Sequence, residues 1–157
     1  MSAGGRDALL TGAQHTQNTE GWRLTVIPCN FASAAAVATI TGVIKIRNIV
    51  GRCTTAIGTT TSIQLSMGGT AMTASSDVVG LATTAILLRE SGTATVLTEL
   101  TEPVGSLWAA PTEYVAGGSS AGTVFSVIKN ASGTGVISFT LEWTPLTANA
   151  AVVADQA

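Results

Sequence analysis

After Val136, residues 137–143 alternate without a break: Ile137, Phe139, Leu141 and Trp143 are apolar, and the residues between them, Ser138, Thr140 and Glu142, are polar. A period of two sends successive side chains to opposite faces of an extended chain, so this stretch is a strand with the first set inward and the second outward. Just upstream, residues 123–128 (TVFSVI) are rich in β-branched and aromatic side chains, and residues 130–135 (NASGTG) consist of types that tolerate turn geometry. Together they read as a hairpin. The same alternation recurs in residues 62–67, with Ile63, Leu65 and Met67 on the apolar face and Gly68 and Gly69 closing the segment. In residues 44–47, Ile44 and Ile46 oppose Lys45 and Arg47, and β-branched residues continue to Ile57. Segments 42–57 and 60–67 read as a hairpin or as neighbouring strands.

Elsewhere the pattern is shorter. Residues 22–26 alternate and predict a half-buried strand that Pro28 ends. Residues 30–37 fit either a short helix capped by Asn30 or a loop leading into a strand near residues 37–40, and both readings stay open. Residues 77–90 carry some helical spacing, but Gly80 and the pair Thr83 and Thr84 favour strand. Residues 93–100 read as a short extended piece, and Pro103, Gly105 and Pro111 make a loop around Trp108. No repeat of 20–50 residues is visible, which excludes solenoids and propellers. Many short strands joined by Gly- and Pro-rich connections in a chain of 157 residues predict one all-β domain, an antiparallel β-sandwich with a jelly roll as one form of it. Residues 1–20, in which Leu9 and Leu10 offer the apolar bulk, read as an extended N-terminal arm, residues 21–147 as the sandwich and residues 148–157 as a small-residue tail.

Composition narrows the function classes. Charged residues are 10% of the chain, against about 25% in ordinary domains, whereas 25 Thr, 13 Ser and 17 Gly make up about a third of it. A surface solvated by hydroxyl and backbone rather than charge suits a protein packed against copies of itself or a larger body. The formal net charge is −2 and the basic residues are scattered singly, so nucleic acid is not an expected partner. The most apolar stretch, residues 31–40, is about half the length of a membrane-spanning helix and contains Ser33 and Thr39, so no membrane partner is expected either. Residues 1–7 show no secretion-signal pattern, which predicts synthesis in a cytoplasm.

Motifs with chemical meaning are few. Residues 118–122 (GSSAG) match the nucleophile-elbow spacing around Ser120, but that motif needs a strand before it, a helix after it and a downstream histidine. Here a strand follows, and the sole histidine is His15, so a flexible loop is expected. Cys29 and Cys53 fit neither a zinc nor a redox spacing and read as two buried free thiols, with a disulfide between them as the alternative. One histidine and scattered carboxylates predict no metal site and no cofactor. Glu99 and Glu102 read as solvated loop charges, and the sequon at Asn130 as a turn. Trp22 and Trp143 are expected in the core. Trp108, in its Pro-bounded loop, is the candidate interface residue, together with Leu9 and Leu10 of the arm.

Residues 42–46 (GVIKI), 53–58 (CTTAIG) and 62–65 (SIQL) resemble a pattern that recurs in small structural proteins of tailed bacteriophages. Residues 122–124 (GTV), 134–146 (TGVISFTLEWTPL) and 151–154 (AVVA) are similar to the way such proteins close. The resemblance covers about a third of the chain and rests on strand and turn patterning. It implies a virion protein made in the host cytoplasm, and for a lone domain a head decoration (cement) protein, a β-rich homotrimer whose partner is the major capsid protein. It carries no catalytic residues. A tail or head-fibre knob that binds a host receptor or glycan is the alternative, with Trp108 and Tyr114 as the aromatics available for it.

Overall fold

The computed structural model describes residues 21–32, 36–59, 62–89, 97–100 and 113–155. All regular structure among them is strand. In chain order these are β1 (Arg23–Asn30), β2 (Ala36–Thr41), β3 (Val43–Thr55), β4 (Ser62–Met67), β5 (Thr70–Ala71) and β6 (Ser76–Asp77). Then follow β7 (Ile86–Arg89), β8 (Leu97–Leu100), β9 (Tyr114–Gly117), β10 (Thr123–Lys129), β11 (Val136–Pro145) and β12 (Ala151–Ala154). Every pairing between them is antiparallel, in two six-stranded sheets. The first sheet runs β1-β11-β3-β7-β8, with β9 also on β3, and the second runs β12-β2-β10-β4-β5, with β6 also on β4. The molecule is an antiparallel β-sandwich.

The core is the space between the sheets. From the first sheet, Ile27, Cys29, Ile44, Ile46, Ile49, Cys53, Ile137, Phe139, Leu141 and Trp143 are buried. Val37, Ile40, Ile63, Leu65, Met67, Phe125, Val127 and Val152 face them from the second. Phe125 meets Phe139 across the interface edge-on, with ring centroids 6.1 Å apart at 77°, the arrangement the ring quadrupoles favour. The in/out assignments of β3, β4 and β11 follow the alternation in the sequence. In β3, Ile46 and Ile49 both point inward although three residues apart. The register skips Arg47, since Glu142 is opposite Asn48 and Trp143 is opposite Ile46, and that bulge restores the inward phase.

Chain connectivity corrects the two hairpin readings. β10 and β11 do not pair: β10 lies in the second sheet between β2 and β4, and β11 lies in the first between β1 and β3. The connection crosses the sandwich. Its residues are tied to other loops, with Phe31 N donating to Gly135 O (3.1 Å), Gly133 N to Phe31 O (3.2 Å) and Gly58 N to Thr134 O (3.0 Å). Likewise β3 and β4 occupy opposite sheets. Alternation specifies which face is buried, and two strands that bury facing sides satisfy it as well as two that pair edge to edge. Along the chain, β1, β2, β3, β4 and again β9, β10, β11, β12 switch sheets at each step. Only short partners, such as β5 on β4 and β8 on β7, stay in the same sheet.

Pro28 does not end β1, which runs through it to Asn30, with Pro28 opposite Ser138. β1 is the edge of its sheet, where a residue without an N–H costs no ladder hydrogen bond. Asn30 accepts a hydrogen bond from Ala32 N (3.0 Å), an Asx turn that leads out of β1 rather than a helix cap. Residues 77–89 contain no helix; turns lead to β7. The C-terminal stretch supplies β12, which pairs with β2. Among the described residues no helix is long and apolar enough to cross a membrane.

Candidate functional site

Of the three candidate interface residues, Leu9, Leu10 and Trp108, all lie outside the described residues. Glu102 and His15 do as well. The described surface shows different features.

The outer face of the first sheet is built from β1, β11 and β3. Because Arg23, Thr25, Ile27 and Cys29 stand opposite the buried side chains of Trp143, Leu141, Phe139 and Ile137, the alternate residues Leu24, Val26 and Pro28 point outward. The phase of β1 is therefore opposite to what its apolar residues suggest. Arg23 and Thr25 take inward positions because Trp143 gives each a partner. The Arg23 guanidinium lies 5.2 Å from the Trp143 ring centroid, and Trp143 Nε1 donates to Thr25 Oγ1 at 2.9 Å. Leu24 is left 38% exposed and Val26 55%. Across the sheet Val26 is followed by Thr140 and Val50, an uncharged row.

Trp22 is not in the core. It precedes β1, is half-buried, and has Arg47 Cζ 5.5 Å and Lys45 Nζ 5.9 Å from its ring centroid. Those cations stand on the outer side of β3, so the indole lies on the outer face of the sheet. Such contacts are worth about 0.5–1 kcal/mol each at exposed positions. Lys45 also pairs with Glu113, and Arg47 with Glu142 at 3.7 Å. Beside them, opposite Glu142, Asn48 Oδ1 is buried without a hydrogen-bond partner among the described residues, a cost of about 1–3 kcal/mol.

The outer face of the second sheet is weakly charged. Val124 of β10, Thr39 of β2 and Val153 of β12 form one row, and Ile128 lies further along β10. Val153 is 56% exposed and Ile128 48%. Asp155 closes the row by accepting from Thr39 Oγ1 at 3.1 Å. No signal short of the sheet assignment points to this row, since Val124 and Val153 lie in different segments.

The sites weighed for chemistry resolve into structural roles. Residues 118–122 form the turn between β9 and β10: Ser119 Oγ accepts from Ala121 N (3.3 Å), Gly122 N donates to Ser119 O (3.1 Å), and Ser120 is exposed. A strand follows, without the helix an elbow requires. Asn130 Oδ1 accepts from Ser62 N (3.0 Å), so this side chain fastens a turn to the start of β4. Tyr114 is half-buried and packs against the core. Glu99 falls in β8.

Cys29 and Cys53 are both buried and free. Cys29 is opposite Ile137, and Ile137 is opposite Cys53, so the two thiols sit two strands apart. That is roughly 9–10 Å, beyond the ~7 Å Cα limit for a disulfide. Burial pushes the Cys29 thiol up to about 11, with nearby Lys129 opposing the shift. Burial likewise raises Cys53, against backbone hydrogen bonds at Thr55 and Ile57. Both are protonated, unreactive core groups at neutral pH. Among the described residues no group of three or more His, Cys, Asp or Glu converges as a metal site would require.

In comparisons with known proteins, no family model, no curated protein and no solved structure matches this chain.

Proposed function

We propose that this chain is a bacteriophage virion structural protein, a capsid decoration or cement protein that acts as a homotrimer on the major capsid protein and has no catalytic centre or cofactor. The observation that carries the reading is the surface of the sandwich: the outer face of the second sheet, and on the first sheet the Leu24, Val26, Thr140 and Val50 area beside its Lys45, Arg47 and Glu142 cluster, present valine, leucine, isoleucine and hydroxyl side chains. Large exposed apolar side chains on two opposite faces suit a domain that is covered on more than one side. Strand order adds support. Among the described strands, the neighbour orders β1-β11-β3-β9 in one sheet and β2-β10-β4-β6 in the other we read as a jelly roll, an architecture that recurs in viral capsid and lectin domains. Architecture alone does not assign function, so weight rests on the surface.

The mechanism is linkage. A protein that binds the assembled shell and not the free subunits stabilises the shell by about 2.7 kcal/mol per site at a free concentration 100 times its Kd. Contact over these apolar and hydroxyl rows performs this without turnover. The test is the copy number of this protein in purified particles, measured by quantitative mass spectrometry against the major capsid protein. A ratio of one, or a simple fraction, is expected. A few copies per particle would transfer the protein to a tail or fibre, and absence from particles would overturn the virion reading.

A further inference from the structure

We propose that Arg52 anchors the shell contact: the outer face of the first sheet docks on the major capsid protein, and the Arg52 guanidinium grips an aspartate or glutamate of that protein in a bidentate pair. The inference rests on the virion reading and names the chemistry that the shell brings to this face.

Arg52 stands on β3 between the buried Gly51 and Cys53, so its side chain points to the outer face, where it is exposed. Its row across the sheet holds Pro28, Ser138 and Ile86, and the next row holds Val26, Thr140 and Val50. One cation therefore sits in an apolar and hydroxyl surround. Among the described residues, the nearest charges along that face are Glu142, opposite Asn48, and the Arg47 paired with it. Asn48 is four residues from Arg52 along an extended strand, about 13 Å. That exceeds the Debye length of about 8 Å at physiological ionic strength, so those charges do not compensate Arg52.

The other cations with described side chains are all engaged. Lys45 pairs with Glu113 and Arg47 with Glu142, Arg23 lies over the Trp143 ring, and Lys129 donates to Phe31 O. Arg52 alone has no ion pair, hydrogen bond or ring contact among the described residues. Covering this face takes the guanidinium out of water, and an ion buried without a counter-charge is strongly destabilising. The covering surface must therefore supply an anion. A planar fork of N–H donors matches the two oxygens of a carboxylate, and an arginine ringed by apolar contacts is the arrangement of an interface hot spot. A second copy of this chain has no free carboxylate to offer from its described side chains. Glu113 and Glu142 hold Lys45 and Arg47, Asp77 accepts from Val79 N, and Asp155 accepts from Thr39 Oγ1. The carboxylate then comes from the shell.

The test titrates the purified full chain, and its Arg52→Gln and Arg52→Lys variants, onto empty shells that lack it. Arg52 has no partner in the free protein, so both variants should keep the urea midpoint and the oligomeric mass of the unsubstituted chain. Arg52→Gln should weaken binding by about 30-fold or more, the loss expected when one member of a desolvated charge pair is removed. Arg52→Lys keeps the charge without the fork, so it should bind more tightly than Arg52→Gln, and it places an amine for carbodiimide coupling. Mass spectrometry should then find position 52 joined by an amide to an Asp or Glu of the major capsid protein. A loss in Arg52→Gln of no more than about fivefold, the range of an exposed ion pair, would overturn the proposal and leave the virion reading standing. Coupling of position 52 to another copy of this chain, or a fall in the oligomeric mass of Arg52→Gln, would also overturn it and give the face to a neighbouring subunit. Failure of the unsubstituted chain to bind shells would overturn the virion reading itself, and this inference with it.

Discussion

Gly51 offers a sharp test of the register between β3 and β11. It is buried opposite Phe139 and flanked on the other side by Leu87, and a Cβ there would sit 2.9 Å from Phe139 Cε1 and 3.1 Å from Ile137 Cγ2. Gly51→Ala therefore forces the phenylalanine ring to move in a packed core, an overpacking cost of about 1–3 kcal/mol. The reduced freedom of the unfolded chain offsets about 0.4–1 kcal/mol, leaving a net loss of roughly 1–2 kcal/mol. Phe139→Leu alone removes ring contacts, including the edge contact to Phe125, and costs roughly 1–3 kcal/mol. It also removes the atom that a new Cβ would strike. In the Phe139→Leu background Gly51→Ala should then be neutral or stabilising by up to about 1 kcal/mol, with the residual approach to Ile137 limiting the gain. Urea unfolding of the four proteins at 25 °C, with unchanged slopes, measures the coupling, expected at about 1–3 kcal/mol in favour of the double variant. Additivity within about 0.5 kcal/mol would refute the pairing of Gly51 with Phe139, and with it the central register of the first sheet.

Other outcomes follow from single contacts. Thr25→Val leaves the Trp143 indole N–H without its acceptor and should cost about 1–3 kcal/mol by the same unfolding measurement, whereas an unchanged midpoint would remove that hydrogen bond from the account. Gly117 and Gly118 both have positive φ, but a Cβ on Gly117 would strike Gly42 O, while one on Gly118 meets nothing within 4 Å. Gly118→Ala should cost about 1–2 kcal/mol and Gly117→Ala more than about 3 kcal/mol, so equal losses would contradict the close approach of β9 to Gly42. The Cys29 thiol titrates near its ordinary 9.0 when unfolded and at about 11 when folded, so between these pH values the unfolded chain releases a proton that the folded one keeps. Stability is full below pH 9 and should fall by on the order of 3 kcal/mol by pH 11, a slope that Cys29→Ala reduces. At neutral pH a thiol reagent should modify neither cysteine in the native protein and both after unfolding; rapid native labelling would contradict their burial.

Local alternation made the buried faces of β3, β4 and β11 legible, because each holds a run of inward isoleucine, leucine or aromatic side chains long enough to fix its phase. Partners were not legible. β10 and β11 each bury one face, and nothing in that pattern separates edge-to-edge pairing from face-to-face packing across the core. The phase of β1 misled for a related reason. Leu24 and Val26 carry the apolar signal, but Ile27 and Cys29 win the core positions while Trp143 supplies partners for Arg23 and Thr25. The alternation of residues 22–26 puts Trp22 in a strand and so in the core, whereas two cations hold it on the outside. Pro28 looks like a stop in the sequence alone, because its edge position depends on which strands flank β1. The interaction faces depend on the same long-range information: Val124, Thr39 and Val153 become one row only once β12, β2 and β10 are neighbours.

The virion reading stands or falls on whether the protein binds an assembled shell. Purified protein titrated onto particles or shells that lack it should bind saturably, at a simple fraction of the major capsid protein, and raise the temperature at which the shell comes apart, while free capsid subunits bind nothing. Saturable binding to subunits as well as shells would remove the linkage mechanism, and no binding to shells would contradict the account.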